Sequence, residues 1–200
     1  MKKILTFCGA FNPPTLAHIH LAKKAMDETG REGVVFVPSK MSYISEEQKK
    51  NYAYTDEQRL QMLQTISLHQ SWMEVSDWEI RREQQPRTYE TLCCLRDQGM
   101  DPALLCGFDK LAEMEYAWKF VDRILTEFGI VCLERNGQDV EKFLRETPFF
   151  HPYLDRVRVV KTESVYQEIS SSQAREILLQ IRQLREALRS MVPEEIVELL

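Results

Sequence analysis

Two short segments near opposite ends of the chain carry residue types that could hold a phosphate group. In the first, residues 8–18, a glycine and two prolines predict a rigid turn after a strand, and Thr15 and His18 stand three apart where a helix should begin. Such residues share a helix face, and the free backbone N–H groups of a first helical turn attract anions. A histidine there can stabilise charge on a phosphate. A plain helix entry with two incidental polar residues explains this segment about as well.

The second segment opens the last long helical pattern. Ser170, Ser171 and Ser172 stand at its start, and Arg175 follows one turn later. Hydroxyls and N–H groups at a helix start can hold phosphate oxygens, and arginine can grip them with two hydrogen bonds. A helix N-cap beside a surface arginine is the simpler explanation of this segment taken alone.

Short apolar runs alternate with helical patterns along the whole chain, and these elements must position the two segments. Strands are predicted at residues 3–7, 34–38, 73–76, 103–106, 129–133 and 156–161, and helices at 18–29, 55–69, 88–98, 110–128, 139–146 and 172–189. A break within the helix at 110–128 is left open as an alternative. Such alternation predicts an α/β fold, a parallel sheet covered on both faces. Ligands of such sheets bind at the carboxyl ends of the strands, so the residues after each strand are the candidates for a site.

Composition limits the classes of protein that the chain can be. Of 200 residues, 44% are hydrophobic and 28% charged, as in ordinary globular proteins, and we expect one domain over 1–200 with a C-terminal helical part at about 162–200. The net charge of -5 argues against a nucleic-acid-binding surface, and no apolar run reaches the roughly 18 residues of a membrane helix. The N-terminus begins like a signal peptide but lacks a cleavage site, and the five cysteines form no C-x-x-C pair. We expect reduced thiols, no structural zinc and a cytoplasmic location.

Taken together, the two segments resemble the paired signature of the (H/T)-x-G-H nucleotidyltransferase superfamily. Phe11, Asn12, Pro13, Thr15 and His18 match its G-G-[ST]-F-[DN]-P-x-[HT]-x-G-H motif. Residues 169–175 are similar to its I-S-S-T-x-x-R motif, with Ser172 in place of threonine. The resemblance implies a Rossmann-like, doubly wound parallel sheet of about six strands with helices on both faces and a C-terminal helical segment.

Within the superfamily, the chain most resembles the nicotinate (or nicotinamide) mononucleotide adenylyltransferases. Five further stretches follow in that family's order: R-L-Q-M-L at 59–63, V-S-D-W-E-I-R-R at 75–82, T-Y-E-T-L at 88–92, L-C-G-F-D-K-L at 105–111 and R-N-G at 135–137. The closing V-P-E-E-I at 192–196 also fits. The resemblance therefore covers nearly the whole chain.

Several departures from the family pattern bear on the substrate. Cys8 and Ala10 replace a glycine and a serine or threonine in the phosphate turn, and Ala17 replaces a glycine, which adds bulk near the nucleotide. Residues 86–87, proline and arginine, stand where serine and tyrosine help to hold the pyridine ring. The usual P-H-K after the second strand is absent, which leaves Lys40, Lys49 or Lys50 to serve.

The resemblance implies transfer of AMP from ATP to nicotinate mononucleotide by direct in-line attack, giving deamido-NAD and pyrophosphate. It implies His18, Thr15 and Arg175 as catalytic residues, with His18 donating to the α-phosphate as charge shifts. The implied ATP-binding residues are Gly9, Ala10, Phe11, His18, Gly107, Asp109, Ser170, Ser171, Ser172 and Arg175. We expect Mg²⁺ to bridge phosphate oxygens of ATP, with no metal ligand from protein side chains.

For the acceptor mononucleotide, the resemblance implies Thr88 and Trp118 at the pyridine ring and Lys40 and Arg135 at the phosphate. Tryptophan offers stacking area to a flat, electron-poor ring. Tyr116 is a competing stacking residue, and a core position is the alternative role of Trp118. For Asp77, Glu79 and Arg82, a surface ion-pair role is as good an explanation as a functional one.

Two other functions stay open at this point. The altered residues 86–87 would fit a superfamily member that adenylates or cytidylylates another small phosphate, such as phosphopantetheine or glycerol phosphate. A nucleotide-binding regulator that has lost catalysis is the other alternative, although the retained Thr15, His18 and Arg175 argue against it. The expected partners are ATP and a pyridine mononucleotide, with no nucleic acid and no membrane, and a homo-oligomer is left open.

Overall fold

A computed structural model describes residues 1–46, 54–135, 137–162 and 169–189. Its strands are β1 (Lys2–Gly9), β2 (Gly33–Pro38), β3 (Met73–Val75), β4 (Met100–Gly107), β5 (Ile130–Glu134) and β6 (Val157–Lys161). They form one parallel sheet in the order β3-β2-β1-β4-β5-β6. The predicted parallel sheet of about six strands is therefore confirmed, and each predicted strand lies within three residues of its observed bounds.

The helices are α1 (Leu16–Thr29), α2 (Met41–Glu46), α3 (Asp56–Ser67), α4 (Thr88–Asp97), α5 (Phe108–Ala117), α6 (Val121–Arg123), α7 (Val140–Glu146) and α8 (Ser171–Arg189). A π-helical turn, Ile124–Phe128, follows α6, and a 3₁₀ helix, Pro148–Arg156, follows α7. Residues 39–54 and 147–155 lie between the predicted elements, and they contain α2 and most of the 3₁₀ helix. Lys49, Lys50, Asn136 and the closing V-P stretch lie outside the described residues.

The helix predicted at 110–128 is divided after residue 117, so the alternative of a broken helix is confirmed. Trp118 caps α5 in an extended conformation, with φ -102° and ψ 151°. Phe120 then adopts a left-handed conformation, with φ 63°. A left-handed residue ends a right-handed helix, and this break sets Trp118 at the end of α5 rather than in the middle of a long helix.

Side chains alternate between the two faces of the sheet, and each face has its own core. Leu5, Phe36 and Leu105 face the layer that contains α1 and α3. On the opposite face, Ile4 and Val35 pack with residues of α4, and Leu104 and neighbouring side chains pack with α4, α5 and α7. Strands that are covered on both faces are apolar throughout, which is why the sequence shows runs and not alternation.

The strand order reverses between β1 and β4, which are neighbours in the sheet although α1, β2, α2, α3, β3 and α4 separate them in sequence. The chain leaves these two strands in opposite directions, so a crevice opens at their carboxyl ends. Gly9 ends β1 and Gly107 ends β4, so both glycines among the implied ATP-binding residues stand at the crevice. Within the described residues, no helix is long and apolar enough to cross a membrane.

Candidate active site

A cavity of about 750 Å³ opens at this crevice, within the range of small-molecule sites. Its wall contains several of the predicted ATP-binding residues, namely Gly9, Ala10, Phe11, His18, Gly107 and Ser171. Residues 83–88, Lys110 and Trp118 line the cavity as well. The structure therefore brings both predicted segments and part of the predicted acceptor site to one cavity.

Three helices begin at the wall of this cavity. His18 lies in the first turn of α1, Gly107 is the N-cap of α5, and Ser171 is the first residue of α8. Each helix N-terminus carries unpaired N–H groups and a partial positive charge. Three such ends around one cavity favour a ligand with several negative charges, such as a polyphosphate.

The turn after β1 is held by packing and by one buried arginine. Phe11 is buried with a positive φ of 42°, and a Cβ on Gly9 would come within 3.2 Å of its ring. The Arg59 side chain is fully buried, donates from Nη1 to the Ala10 carbonyl at 2.8 Å, and pairs with Asp56. Residues 59–63, which resemble a motif of the family, therefore belong to a helix that holds the backbone of the turn after β1.

Hydrogen bonds from Thr15 fix both the orientation and the tautomer of His18. Thr15 is the N-cap of α1, and its backbone N lies 3.0 Å from His18 Nδ1. Its hydroxyl Oγ1 lies 2.8 Å from the same nitrogen. A backbone N–H can only donate, so Nδ1 is the acceptor, and the neutral ring carries its proton on Nε2. The predicted pair on one helix face thus forms a histidine whose Nε2 can donate to a ligand.

The start of α8 docks directly on the β1 turn. Ser171 Oγ donates to the Pro13 carbonyl at 2.7 Å, and Arg175 Nη1 donates to the Asn12 carbonyl at 2.5 Å. Arg175 Nη2 also donates to Ser172 Oγ at 3.0 Å. Ser170 caps the helix locally, because its Oγ accepts from the backbone N of Gln173. Two segments far apart in sequence therefore form one continuous surface.

A side chain at Gly107 would displace the ends of two neighbouring side chains. An added Cβ would lie 2.6 Å from Asp109 Oδ1 and 3.3 Å from Arg135 Nη2. These two residues form a long ion pair of 3.9 Å beside the end of β4. The structure thus places Asp109 and Arg135 together at this edge, whereas the sequence assigned them to opposite substrates.

The acceptor residues are divided between the cavity wall and its support. Thr88 and Trp118 line the cavity, whereas Tyr116, the competing aromatic residue, is 77% exposed on α5. Lys110 also lines the cavity and pairs with Glu113 at 2.9 Å. The Nζ of Lys40 instead donates to the carbonyls of Ile80 and Arg82, in the loop between β3 and α4.

Glu79 is the cavity residue whose role the sequence least revealed. It is 1% exposed, so the surface ion-pair explanation is wrong for it, although Asp77 does form such a pair with Arg81. Burial raises the pKa of Glu79, and hydrogen bonds from Thr91 and Gln85 oppose that shift. A single buried carboxylate among polar residues gives no periodic signal in the sequence. The sequence therefore left the role of Glu79 open.

Two of the residues that depart from the family pattern, Ala17 and Cys8, lie in different surroundings. Ala17 is buried in the core with other residues of α1 and is not among the residues that line the cavity. Cys8 lines the cavity, and burial, followed by the charge of Glu79, raises the pKa of its thiol well above the usual value. All five cysteines are free thiols. In the described part of the chain, no group of three or more His, Cys, Asp or Glu side chains could hold a metal ion.

The fold and the paired segments define a nucleotidyltransferase-like α/β domain. The family model described as cytidylyltransferase-like matches residues 6–177, which is most of the chain, and the protein belongs to this family. The superfamily assignment made from the two motifs is therefore confirmed.

Individual relatives narrow the comparison. A nicotinamide/nicotinic acid mononucleotide adenylyltransferase of Oryza sativa subsp. japonica is 28% identical over 189 residues, covering 88% of this chain and 76% of the relative. A protein of the same description from Arabidopsis thaliana is 27% identical and covers 88% and 79%. The solved Plasmodium falciparum nicotinic acid mononucleotide adenylyltransferase, complexed with NaAD, shares the fold with a TM-score of 0.67 and 19% identity, covering 88% of this chain and 83% of that one.

Proposed function

We propose that the protein transfers AMP from ATP, bound as its Mg²⁺ complex, to nicotinate mononucleotide and releases pyrophosphate and deamido-NAD. The observation that carries this proposal is the convergence of three helix N-termini and His18 on one cavity. The descriptions of the relatives, which include nicotinic acid mononucleotide as acceptor, support the choice of substrate.

The reaction needs no protein nucleophile. A 5′-phosphate oxygen of the acceptor attacks the α-phosphorus of ATP, the bond between that phosphorus and the oxygen bridging to the β-phosphate breaks, and pyrophosphate leaves with the electron pair. The attacking oxygen is already anionic, so the protein's role is positioning and charge stabilisation. His18 Nε2–H is the donor proposed for the α-phosphate oxygen, because Thr15 holds Nδ1.

The leaving group would lie between the β1 turn and α8. Ser171 and Arg175 already contact this turn, and a guanidinium can hold pyrophosphate oxygens with parallel hydrogen bonds. The start of α5, with Gly107 and Asp109, would approach ATP from the β4 side. The Mg²⁺ is bound by phosphate oxygens as part of the substrate.

The acceptor would occupy the wall formed by Thr88, Trp118 and the loop before α4. Trp118 lies at the end of α5, where it packs partly against the core and also lines the cavity. Arg135 remains proposed as a ligand of the acceptor phosphate. Lys110, which lines the cavity wall, is proposed as a second cation for this phosphate. Five free cysteines support a proposed location in the reducing cytoplasm.

Pyrophosphate release by the purified protein tests the function. The reaction is run with ATP and Mg²⁺ and with nicotinate mononucleotide, nicotinamide mononucleotide or no acceptor. Release that depends on a pyridine mononucleotide is expected, with deamido-NAD identified as product of the nicotinate reaction. Further runs replace the acceptor by phosphopantetheine or glycerol phosphate, or replace ATP by CTP. Release in these runs alone would replace the proposed substrates and keep the family chemistry. ATP binding without turnover of any acceptor would favour a regulator.

A further inference from the structure

The loop between β3 and α4, residues 80–87, forms one side of the cavity, and we call it the acceptor loop. Much of it is exposed, and residues 83–87 line the cavity. Two backbone hydrogen bonds anchor its beginning: Arg81 N donates to the Asp77 carbonyl, and Arg82 N donates to the Glu79 carbonyl. A loop with so little apolar packing has low local stability unless polar contacts hold it.

Glu79 supplies the first of these contacts from inside the protein. Its Oε2 accepts from Gln85 Nε2 at 2.6 Å, and its Oε1 accepts from Thr91 Oγ1 at 2.7 Å. Interactions with the Cys8 and Ser39 side chains also lower the pKa of this carboxyl group, against the effect of burial. One buried side chain therefore joins the acceptor loop to α4.

Lys40 supplies the second contact from the end of β2. Its Nζ donates to the Ile80 carbonyl at 2.9 Å and to the Arg82 carbonyl at 2.6 Å. Its backbone N donates to Gln85 Oε1 at 2.8 Å. Because that oxygen is engaged, the amide nitrogen of Gln85 must face Glu79, and the contacts of Lys40 and Glu79 fix each other's geometry.

We infer that Glu79 and Lys40 are positioning residues that hold the acceptor loop against the cavity and so set the affinity for the acceptor. This inference rests on the proposed function for the identity of the acceptor. Neither residue needs to touch ATP, because ATP is assigned to the β1 turn and to the starts of α1, α5 and α8. Loosening the loop should therefore weaken acceptor binding selectively, since a mobile loop must be ordered when the acceptor binds.

Kinetics of four variants test the inference. Glu79→Ala and Lys40→Met should each raise the acceptor KM about 10-fold and leave the ATP KM within about 2-fold, since each removes a hydrogen bond to a charged group. Glu79→Gln should stay within about 3-fold of wild type, because its oxygen can remain toward Gln85 while its NH₂ donates to the rotatable Thr91 hydroxyl. Glu74→Gln is the matched control, since Glu74 forms an exposed ion pair with Lys2, and exposed pairs contribute little.

Hydrogen exchange in the free enzyme separates loop positioning from a direct role. Amides of residues 80–87 should exchange faster in Glu79→Ala and Lys40→Met than in wild type and Glu74→Gln. A raised KM in Lys40→Met with unchanged exchange would mean that Lys40 binds the acceptor directly, and it would overturn the inference. Equal increases in the ATP and acceptor KM values, or a Glu79→Gln variant as impaired as Glu79→Ala, would overturn it too. If wild type turned over no pyridine mononucleotide, the proposed function would fail, and exchange would still decide whether these residues hold the loop.

Discussion

Replacing His18 by alanine is the sharpest test of the proposed chemistry. The substitution removes one donor, Nε2–H, from a side chain that Thr15 holds through Nδ1 at 3.0 Å and 2.8 Å. A preorganised donor to charge that develops in the transition state is worth about 2.7–4 kcal/mol, so kcat should fall about 10²–10³-fold. The ground-state contacts assigned to the β1 turn and α8 remain, so the ATP KM should change by less than about 3-fold.

The assay is steady-state pyrophosphate release with both substrates varied, together with direct titration of ATP. His20→Ala is the control, because His20 is exposed on the same helix and is turned away from His18 by its spacing of two. Its kcat should match that of wild type. A His18→Ala variant that kept more than about a fifth of the wild-type kcat would refute the argument that this donor acts in the transition state. A loss of ATP affinity equal to the loss of kcat would assign His18 to binding alone.

Other predictions concern the surroundings of this histidine and the stability of the site. Thr15→Val removes the hydroxyl contact but keeps the backbone donor, so kcat should fall only about 10-fold, the loss of one neutral hydrogen bond, and Thr15→Ser should restore it in the same assay. Gly107→Ala must displace the Asp109 carboxylate, so the ATP KM should rise while the urea midpoint stays nearly unchanged. Arg59→Met leaves carbonyls such as that of Ala10 unpaired, so urea titrations should show a free energy of unfolding that is lower by about 3 kcal/mol. An unchanged free energy of unfolding would mean that the buried guanidinium does not support the turn. Burial raises the pKa of Glu79 in the folded protein. The stability that Glu79 contributes to the fold is therefore fully present below its pKa in the unfolded chain, and it is lost as pH rises through its pKa in the folded protein. Unfolding free energies of wild type and Glu79→Gln should therefore diverge with rising pH, in favour of the variant, and parallel curves would contradict the raised pKa.

The sheet was predictable because strands buried on both faces leave continuous apolar runs, and all six runs became strands. The position of the break at Trp118 was not predictable, because the apolar period continues through it. Phe120 occupies a left-handed conformation that sequence patterns assign to glycine or asparagine. Its ring contacts Tyr89 at 5.5 Å between centroids, so a tertiary contact accompanies a local conformation that the local sequence disfavours.

The site divides in the same way. His18, Thr15 and the start of α8 could be found because helix starts have local signatures, and the structure joins them through Asn12 and Pro13. The roles of Glu79 and Lys40 could not be predicted, because they come from hydrogen bonds to residues that no local pattern pairs with them. Nothing in the sequence near a buried carboxylate says which distant donors surround it.

The departures from the family pattern in the phosphate turn become intelligible once backbone and side-chain roles are separated. What the turn offers to a phosphate is its N–H groups and its shape, and Arg59 fixes that shape through a carbonyl, whatever side chain Ala10 carries. Cys8 adds no charge, because burial raises the pKa of its thiol and keeps it neutral beside Glu79. Ala17 directs its methyl group into the core. The three substitutions therefore change side chains at positions where the proposed chemistry depends on the main chain, whereas Thr15 and His18, whose side chains are proposed to act directly, match the motif.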